Sequence, residues 1–422
     1  MDRLHGFIGI AMLLGVAWLL SEARRRIRPR VVIVGLLLQF ALALLLLKVP
    51  GVAGVFDHVA AAFSRLLGFG RDGAQFVFGN LAEAGPGYEW GFIFFVQVTS
   101  VIVFFASLMG VLYHLGLIQK LIAALAFMLR KTLGVTGAEA LAAAANVFVG
   151  QTESPLIIRP LLPKLTRSQL MLVMTSGFAT IAGSVFGLYV TTLGKGDTDL
   201  ETEIAKHLLT ASLISAPGAF VMAKILIPET EDPPEEAETT IDESDHASGV
   251  VDAAARGASV GMRLAMNVIA MLIAFVALIA LINWPLGAIG DAFDTELSLQ
   301  VILGYLFAPV AWGMGIESGD VLEIGRTLGI SVVATEVLGY QELAALASPA
   351  DGSDPLVSAR SRIVATYALC GFANFPSVAI QIGGLSTLAP DRRGEIASIG
   401  LKAMLAGALT CWTTACVASV VI

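Results

Sequence analysis

Long apolar runs separated by short polar stretches dominate the chain and predict membrane-spanning helices. A helix crosses a bilayer with about 20 mainly apolar residues. Most of the runs reach that length, although the first is barely long enough. The predicted spans are residues 4–20, 31–48, 90–113, 168–193, 207–227, 262–284, 361–388 and 396–422. The pattern therefore predicts an all-α polytopic membrane protein with eight transmembrane helices.

Two further apolar stretches are too short to cross and are predicted as re-entrant helical hairpins. The first has apolar arms at 141–149 and 156–162 around the polar sequence Gly-Gln-Thr-Glu-Ser-Pro at 150–155. The second covers 324–340 and turns near Glu336. Because paired half-spans in transporters carry a polar tip to the depth of the binding site, we expect both tips inside the bilayer.

Four other segments do not fit the pattern of a regular span. Residues 117–133 are apolar with three basic residues, which is typical of an amphipathic helix at the inner surface. Residues 49–90 mix Gly, Pro and charge and predict interfacial helices on the outer side. Residues 299–316 are apolar but Gly-rich and broken by Pro309, and are predicted as a further interfacial helix. Residues 229–248 are acidic and predict a mobile cytoplasmic linker.

The chain also repeats itself. The tip sequence Gln-Thr-Glu at 151–153 is matched by Ala-Thr-Glu at 334–336, and Gly-Phe-Ala-Thr at 177–180 is matched by Gly-Phe-Ala-Asn at 371–374. The first repeat crosses the membrane three times, so the second repeat enters from the opposite side. The sequence therefore predicts inverted repeats, an architecture that forms a binding site near the bilayer midplane.

Composition and charge support a membrane protein and suggest its orientation. The 422 residues are 56% hydrophobic and only 14% charged, against about 25% charged in soluble domains.

Arginines at 24–30 follow the first apolar run, whereas a cleaved signal carries its positive charge first. Since basic loops stay in the cytoplasm, both termini are predicted outside, in a bacterial inner membrane. The sequence contains no basic stripe of the kind that would indicate a nucleic-acid partner. The three cysteines lie in apolar runs.

The two hairpin tips carry the first candidate functional residues, Glu153 and Glu336. A carboxylate within a bilayer costs about 2.5–3.5 kcal/mol on insertion scales, so it usually marks a functional path. A structural alternative for Glu153 is an ion pair with Arg159. The end of the first half-helix near Val149 leaves free carbonyl groups and a partial negative charge, which favours a cation.

Uncharged oxygens near that helix end can form a cation site. Side-chain oxygens of Asn146, Thr152 and Thr180 could join the carbonyl groups of Val149 and Ile181 in an all-oxygen cage, which hard cations prefer. No carboxylate is needed, so a singly charged ion is favoured. The alternative is that these side chains form only hydrogen bonds between helices.

Polar and aromatic side chains around the tips predict the kind of solute. Hydrogen-bonding groups and rings together suit a hydroxyl-rich solute with an apolar ring, since each buried polar group of the solute needs a partner. The residues are Gln151, Glu153, Glu336, Asn374 and Ser377, with Phe372 and Phe375 beside them. Plain packing is the alternative for Phe372.

Three motifs resemble the concentrative nucleoside transporters. They are Gly-Gln-Thr-Glu-Ser-Pro-Leu at 150–156, Ala-Thr-Ile-Ala-Gly-Ser-Val at 179–185, and Cys-Gly-Phe-Ala-Asn-Phe at 370–375 with Gly-Gly-Leu at 383–385. The resemblance covers roughly residues 90–420. It implies a homotrimeric symporter in the lipid bilayer that imports nucleosides with sodium by alternating access.

The resemblance also implies a division of the chain and roles for its residues. A scaffold would surround a moving transport domain that holds both hairpins. The parts are 1–113 (scaffold spans 1–3 and the outer segment), 114–228 (first transport part), 229–261 (acidic cytoplasmic linker), 262–316 (scaffold span 6 and interfacial helix) and 317–422 (second transport part). The first hairpin would bind the nucleobase with Gln151, Thr152, Glu153 and Val185. The ribose would contact Glu336, Phe372, Asn374 and Ser377. Sodium would bind at Asn146, Val149, Thr152, Thr180 and Ile181.

Two positions depart from the family pattern. Thr335 stands where Asn is common before the second-hairpin glutamate, and Pro376 stands where Ser is common. A proline removes an amide and kinks a helix, so we expect Pro376 to sharpen a break near Ser377. Both changes bear on fine specificity rather than on the class of substrate.

Three other functions compete with sodium symport. A proton-coupled carrier of the same fold would use Glu153 or Glu336 as the titrating group. An intramembrane hydrolase is disfavoured because no His or Lys lies in the motifs. A channel is disfavoured because an asymmetric polar pocket suits binding better than conduction.

Overall fold

The regular structure consists of α-helices with short 3-10 turns, and no strand occurs in the part of the chain that is described. The structure is a computed structural model that describes residues 2–82, 93–151, 153–195, 197–231, 247–349 and 353–422. Its helices are α1 (Asp2–Leu19), α2 (Pro29–Lys48), α3 (Pro50–Phe78), α4 (Phe94–His114), α5 (Leu117–Leu133), α6 (Gly137–Asn146), α7 (Ser154–Ile157), α8 (Arg167–Phe178), α9 (Gly183–Gly194), α10 (Thr198–Leu226), α11 (Val250–Ala292), α12 (Leu299–Gly313), α13 (Val321–Val333), α14 (Glu336–Ala347), α15 (Ala359–Ala368), α16 (Phe375–Leu388) and α17 (Arg393–Val421). The predicted all-α class is confirmed.

Within the described ranges, seven helical segments are long and apolar enough to cross a membrane. They are Pro29–Lys48, Pro50–Ala82, Phe94–His114, Arg167–Gly194, Thr198–Leu226, Val250–Ala292 and Pro390–Val421. Six overlap predicted spans, and the shorter apolar helices α1 and α16 overlap the remaining two. The additional segment, 50–82, is the one for which the sequence predicts interfacial helices. The count of eight spans stays a prediction.

Segment 50–82 contains one long helix, α3, which ion pairs join to α10. The Asp57 carboxylate forms an ion pair with the Lys206 ammonium group at 2.6 Å, and Arg71 pairs with the buried carboxylate of Glu201. The end of the predicted outer segment, 83–90, lies outside the described residues, as do the first residues of the predicted third span and much of the predicted acidic linker.

The α12 helix differs from its prediction. It continues through Pro309, so the expected break at that proline is wrong. Packing along α13 supports the helix around the missing amide. A Cβ on Gly325 would lie 2.6 Å from the carbonyl oxygen of Gly304, so glycine allows the two backbones to approach closely.

The fourth and seventh predicted spans are each interrupted in the middle. Residues 179–182 separate α8 from α9, and residues 369–374 separate α15 from α16. Asn374 caps α16 by accepting a hydrogen bond from the Ser377 amide at 2.9 Å. Pro376 lies in the first turn of α16, where it begins a helix rather than kinking one, because first-turn amides have no intrahelical acceptor.

The two breaks cross next to α17. A Cβ on Gly371 would lie 2.5 Å from the Phe178 carbonyl oxygen, so only glycine fits this crossing. The Cys411 thiol of α17 lies 3.6 Å from the carbonyl of Ala179 and 3.4 Å from that of Cys370. Cys370, Cys411 and Cys416 are buried and unbridged.

The hairpins share a plan but differ in regularity. The first joins the ten-residue α6 to α7, which has only four residues. The sequence predicts a second arm at 156–162, but the helix there begins at Ser154, ends at Ile157 and is only one turn long. The second hairpin joins two regular helices, α13 and α14, and Thr335 caps α14 by accepting from the Leu338 amide at 3.3 Å.

A buried ion network, termed here the Lys224 network, joins α6, α8 and α10. Lys224 pairs with Glu139 of α6 and lies 3.6 Å from Glu229. Its ammonium group also donates to the Ser168 hydroxyl at 3.0 Å. Every charged member has a partner, so no uncompensated charge is buried where the base of the first hairpin meets α8 and α10.

A second ionic cluster, the Glu22 triad, lies at the predicted cytoplasmic end. Glu22 follows α1 and accepts from Arg167 at 3.1 Å and from Lys402 at 2.8 Å. The Arg167 hydrogen bond holds the pKa of Glu22 below its usual value, and Lys402 adds to this effect. The triad connects the loop between α1 and α2 to one helix from each predicted repeat, α8 and α17.

Candidate functional site

Asn146 is the centre of the first hairpin tip. It ends α6 and is 1% exposed. Its Oδ1 accepts from the Ser154 hydroxyl at 2.7 Å, and its Nδ2 donates to the Ser176 hydroxyl at 2.9 Å and to the Ala142 carbonyl at 3.1 Å. One side chain thereby joins both arms of the hairpin to α8.

The break in the fourth span contacts the same point. The Thr180 hydroxyl lies 2.8 Å from the Asn146 carbonyl and 2.9 Å from the Ser176 carbonyl, so it can donate to either. The Gly183 amide donates to the Phe148 carbonyl at 3.1 Å. The hydroxyl oxygen of Thr180 keeps lone pairs beside a helix end that favours positive charge.

Of the five predicted sodium ligands, two are therefore in direct contact, Asn146 and Thr180. Ile181 follows Thr180 in the break and is buried, and Val149 follows Phe148 at the tip. Thr152 lies outside the described residues. The oxygens brought together here are uncharged, which suits a hard monovalent cation.

Gln151 packs against the end of α8. It is 8% exposed, and its Oε1 has no hydrogen-bond partner among the described residues. A Cβ on Gly177 would lie 2.9 Å from the Gln151 Cβ and 2.5 Å from the Nε2 of Gln381. Gln381, which sequence reasoning missed, donates to the Met174 carbonyl at 3.0 Å. The free Gln151 oxygen can accept a hydrogen bond from a ligand.

Glu153 opens onto a cavity of about 410 Å³. The cavity lies between the first hairpin tip, the start of α9, the α4 helix and the start of α11. Glu153 is exposed there, and in the described part of the chain no ion pair joins it to Arg159, which also lines the cavity. Its carboxylate is therefore available to a solute in the cavity.

Glu336 has the opposite environment. It is 6% exposed and stands at the first residue of α14, where free amides favour negative charge. Its Oε1 accepts from the Tyr189 hydroxyl at 2.9 Å, and its Oε2 accepts from the Asn374 Nδ2 at 2.6 Å. Ser377 is joined to the same cluster because its backbone amide donates a hydrogen bond to the side chain of Asn374. The predicted ribose residues Glu336, Asn374 and Ser377 thus lie together.

Tyr189 is the other residue that sequence reasoning missed. It stands on α9 four residues after Val185, on the same face of the helix, and both side chains are buried. That spacing was the available signal. Phe372 is half-buried in the break before α16.

The α9 helix links the two tips. Its first residue binds Phe148 of the first hairpin, and its Tyr189 binds Glu336 of the second. Glu153 lines the cavity, whereas both carboxylate oxygens of Glu336 accept hydrogen bonds from buried protein donors. The site therefore has two polar centres, one at each hairpin tip, and the short helix α9 contacts both.

Broken helices and polar hairpin tips within an apolar helical bundle define a multi-pass membrane transporter. Three family models match the chain: "Na+ dependent nucleoside transporter N-terminus" at residues 8–81, "Nucleoside recognition" at 95–196 and "Na+ dependent nucleoside transporter C-terminus" at 207–419. The chain belongs to the Na+-dependent nucleoside transporter family. Since this family consists of transporters, the hydrolase alternative is not supported.

Similar proteins match along the whole chain. An uncharacterized transporter of Haemophilus influenzae is 41% identical, with 100% of this chain and 98% of the relative covered. The nucleoside permease NupC of Helicobacter pylori is 37% identical, with 100% and 98% covered. The transporter CNTnw, solved in an inward-facing substrate-bound state, is 39% identical with a TM-score of 0.91, and 100% of this chain and 98% of that chain are covered. CNTnw variants have also been solved in outward-facing and intermediate states.

Proposed function

We propose that this chain is a sodium-coupled symporter that imports nucleosides across a bacterial inner membrane by alternating access. The first hairpin tip binds the nucleobase, and the second hairpin with the break before α16 binds the ribose. The sodium dependence in the family description and the substrate-bound, inward-facing and outward-facing states of CNTnw support this cycle.

The contact between Thr180 and Asn146 carries the sodium assignment. It brings a hydroxyl and a carbonyl oxygen together at the C-terminal end of α6, within a buried region. A cation bound by Asn146, Val149, Thr152, Thr180 and Ile181 would connect the hairpin to the broken span. Cation binding would thereby stabilise the adjacent nucleobase site, which couples the two ligands.

The substrate assignment follows the two polar centres. Gln151, Thr152, Glu153 and Val185 contact the nucleobase, with the free acceptors of Gln151 and Glu153 matching N–H donors of the base. Glu336, Asn374 and Ser377 contact the ribose hydroxyls, and Phe372 packs against the sugar and base. A carboxylate is a strong acceptor for hydroxyl donors.

The assembly and orientation complete the proposal. The protein functions as a homotrimer with both termini outside, and each protomer holds its own substrate. The basic residues of the Glu22 triad then lie at the cytoplasmic face, as the distribution of Lys and Arg favours. Light scattering of the purified protein measures the trimer, and cysteine labelling of introduced terminal sites measures the orientation.

Uptake of labelled uridine into proteoliposomes tests the function. An imposed inward sodium gradient should drive uptake, whereas replacement of sodium by choline should reduce it to the level of protein-free liposomes. Uptake that continues without sodium and follows an imposed pH gradient would instead support the proton-coupled carrier. Saturable uptake distinguishes either carrier from a channel.

A further inference from the structure

Tyr189 connects a buried aromatic stack to Glu336, since its ring packs on Tyr340 and its hydroxyl donates to the carboxylate. Its ring stacks on Tyr340 with centroids 4.4 Å apart and an interplanar angle of 24°. The Tyr340 hydroxyl donates to the Thr366 carbonyl at 3.1 Å, so Tyr340 is itself held in place. Both tyrosines are fully buried. The position of the Tyr189 hydroxyl is therefore determined by three elements, α9, α14 and α15.

The Glu336 carboxylate needs such support. The terminal torsion of a glutamate side chain is broad, so the side chain alone does not determine the plane of its carboxylate. Tyr189 donates to one oxygen at 2.9 Å and Asn374 donates to the other at 2.6 Å. Two donors from different parts of the fold, one on α9 and one in the break before α16, therefore fix this plane.

The remaining acceptor positions have a definite chemistry. Each carboxylate oxygen can accept about two hydrogen bonds. Two of these positions are used by the side-chain donors of Tyr189 and Asn374, and the remaining acceptor capacity is available to hydroxyl groups of a solute. Two acceptors side by side in a fixed plane match two neighbouring hydroxyl groups of a sugar.

We propose that Tyr189 is a positioning residue that, together with Asn374, orients the Glu336 carboxylate toward a vicinal diol of the substrate. This inference rests on the proposed function, in which Glu336 contacts the ribose. Tyr189 contacts only the carboxylate and not the sugar. Its loss should weaken recognition of the diol while leaving recognition of the nucleobase intact.

The test compares Tyr189→Phe with the matched control Tyr340→Phe. Each variant removes one hydroxyl from the same aromatic stack, but only the Tyr189 hydroxyl touches Glu336. The substrates are uridine and 2′,3′-dideoxyuridine, which lacks the diol. The measured quantity is the ratio of their KM values for sodium-driven uptake into proteoliposomes, which does not depend on the amount of active protein.

Tyr189→Phe should raise the KM for uridine about tenfold, because a hydrogen bond to a charged group is lost, and change the KM for the dideoxy compound less than about twofold. Tyr340→Phe should leave the ratio unchanged. The inference is overturned if Tyr189→Phe weakens both substrates equally, if it weakens neither, or if Tyr340→Phe causes the same selective loss.

Glu336→Gln separates failure of this inference from failure of the proposed function. If Glu336→Gln loses the preference for uridine while Tyr189→Phe keeps it, Glu336 binds the diol without help from Tyr189, and only the inference fails. If Glu336→Gln keeps the full preference, the ribose assignment fails, and the role of Tyr189 fails with it.

Discussion

The two hairpin tips carry a glutamate after the same threonine, yet they differ in structure. Glu336 begins a regular twelve-residue helix and is buried with a donor on each carboxylate oxygen. Glu153 precedes a four-residue helix and is exposed to a cavity. The second tip is thus organised before any solute arrives, whereas the first tip keeps free acceptors.

Prolines explain much of the difference. Prolines at 155, 160 and 163 lie before, within and after the second arm of the first hairpin, whereas α14 contains none. A proline removes an amide donor and clashes with the preceding turn, so a helix cannot continue through closely spaced prolines. The comparison indicates a rigid contact for an invariant part of the substrate at one tip and an adaptable contact at the other.

The largest expected effect is that of Glu336→Gln. Glutamine offers one side-chain oxygen where glutamate offers two, so either Tyr189 or Asn374 would lose the acceptor of its buried hydrogen bond. We expect uridine uptake to fall by at least about 100-fold and the apparent Tm to fall as well. Sodium-driven uptake and thermal unfolding in detergent measure the two effects.

Glu153→Gln should separate the tips by sparing stability. Because Glu153 is exposed to the cavity, this change should alter the free energy of unfolding by less than about 0.5 kcal/mol. Uptake should fall about tenfold, since a charged acceptor for the nucleobase becomes neutral. An equal loss of Tm in both glutamine variants would contradict the contrast between the tips.

Thr180→Ala tests whether the first tip is completed by a cation. The change removes a buried hydroxyl beside the Asn146 carbonyl, and the sodium concentration for half-maximal uptake should rise about tenfold. Thr192→Ala is the matched control, because its hydroxyl forms an ordinary bond to the Leu188 carbonyl within α9. An unchanged sodium dependence in Thr180→Ala would remove Thr180 from the cation site.

The smallest effect concerns the connection between the repeats. Glu22→Gln removes the Glu22 triad, which is partly exposed, so the loss of stability at neutral pH should be below about 1 kcal/mol. Arg167 lowers the pKa of Glu22 in the folded state, so the stabilisation is present above the ordinary value of 4.5 and is lost as the pH falls through the lowered value. Unfolding curves of both proteins should therefore converge at acidic pH. A difference that persists there would exclude this origin.

Apolar periodicity predicts the all-α class, which the structure confirms, whereas the numbers of spans and of re-entrant hairpins stay predictions. The helical class depends on local composition, which a single sequence contains. Glu336 was recognised because a carboxylate in an apolar environment is conspicuous.

Other features were beyond local reasoning. Tyr189 looks like an ordinary core residue until folding brings it to Glu336, which is 147 residues away. The apolar residues of the first hairpin's second arm predict a helical half-span, whereas its prolines indicate an irregular backbone, and the structure follows the prolines. At Pro309 the reverse error occurred, since packing against α13 maintains a helix that local rules would break.

The Lys224 network has a consequence for the order in which the protein is made. Lys224 lies in the last turn of α10, where insertion of a lysine costs less than at the bilayer centre, but it is buried in the folded chain and needs a partner there. Glu139 and Ser168 both precede Lys224 in the chain and are synthesised first. The counter-ion on α6 is therefore already in place when α10 leaves the ribosome, so the cation need not wait in lipid for a partner. Biogenesis of this transporter thus favours an N-terminal half that is folded before α10 is inserted.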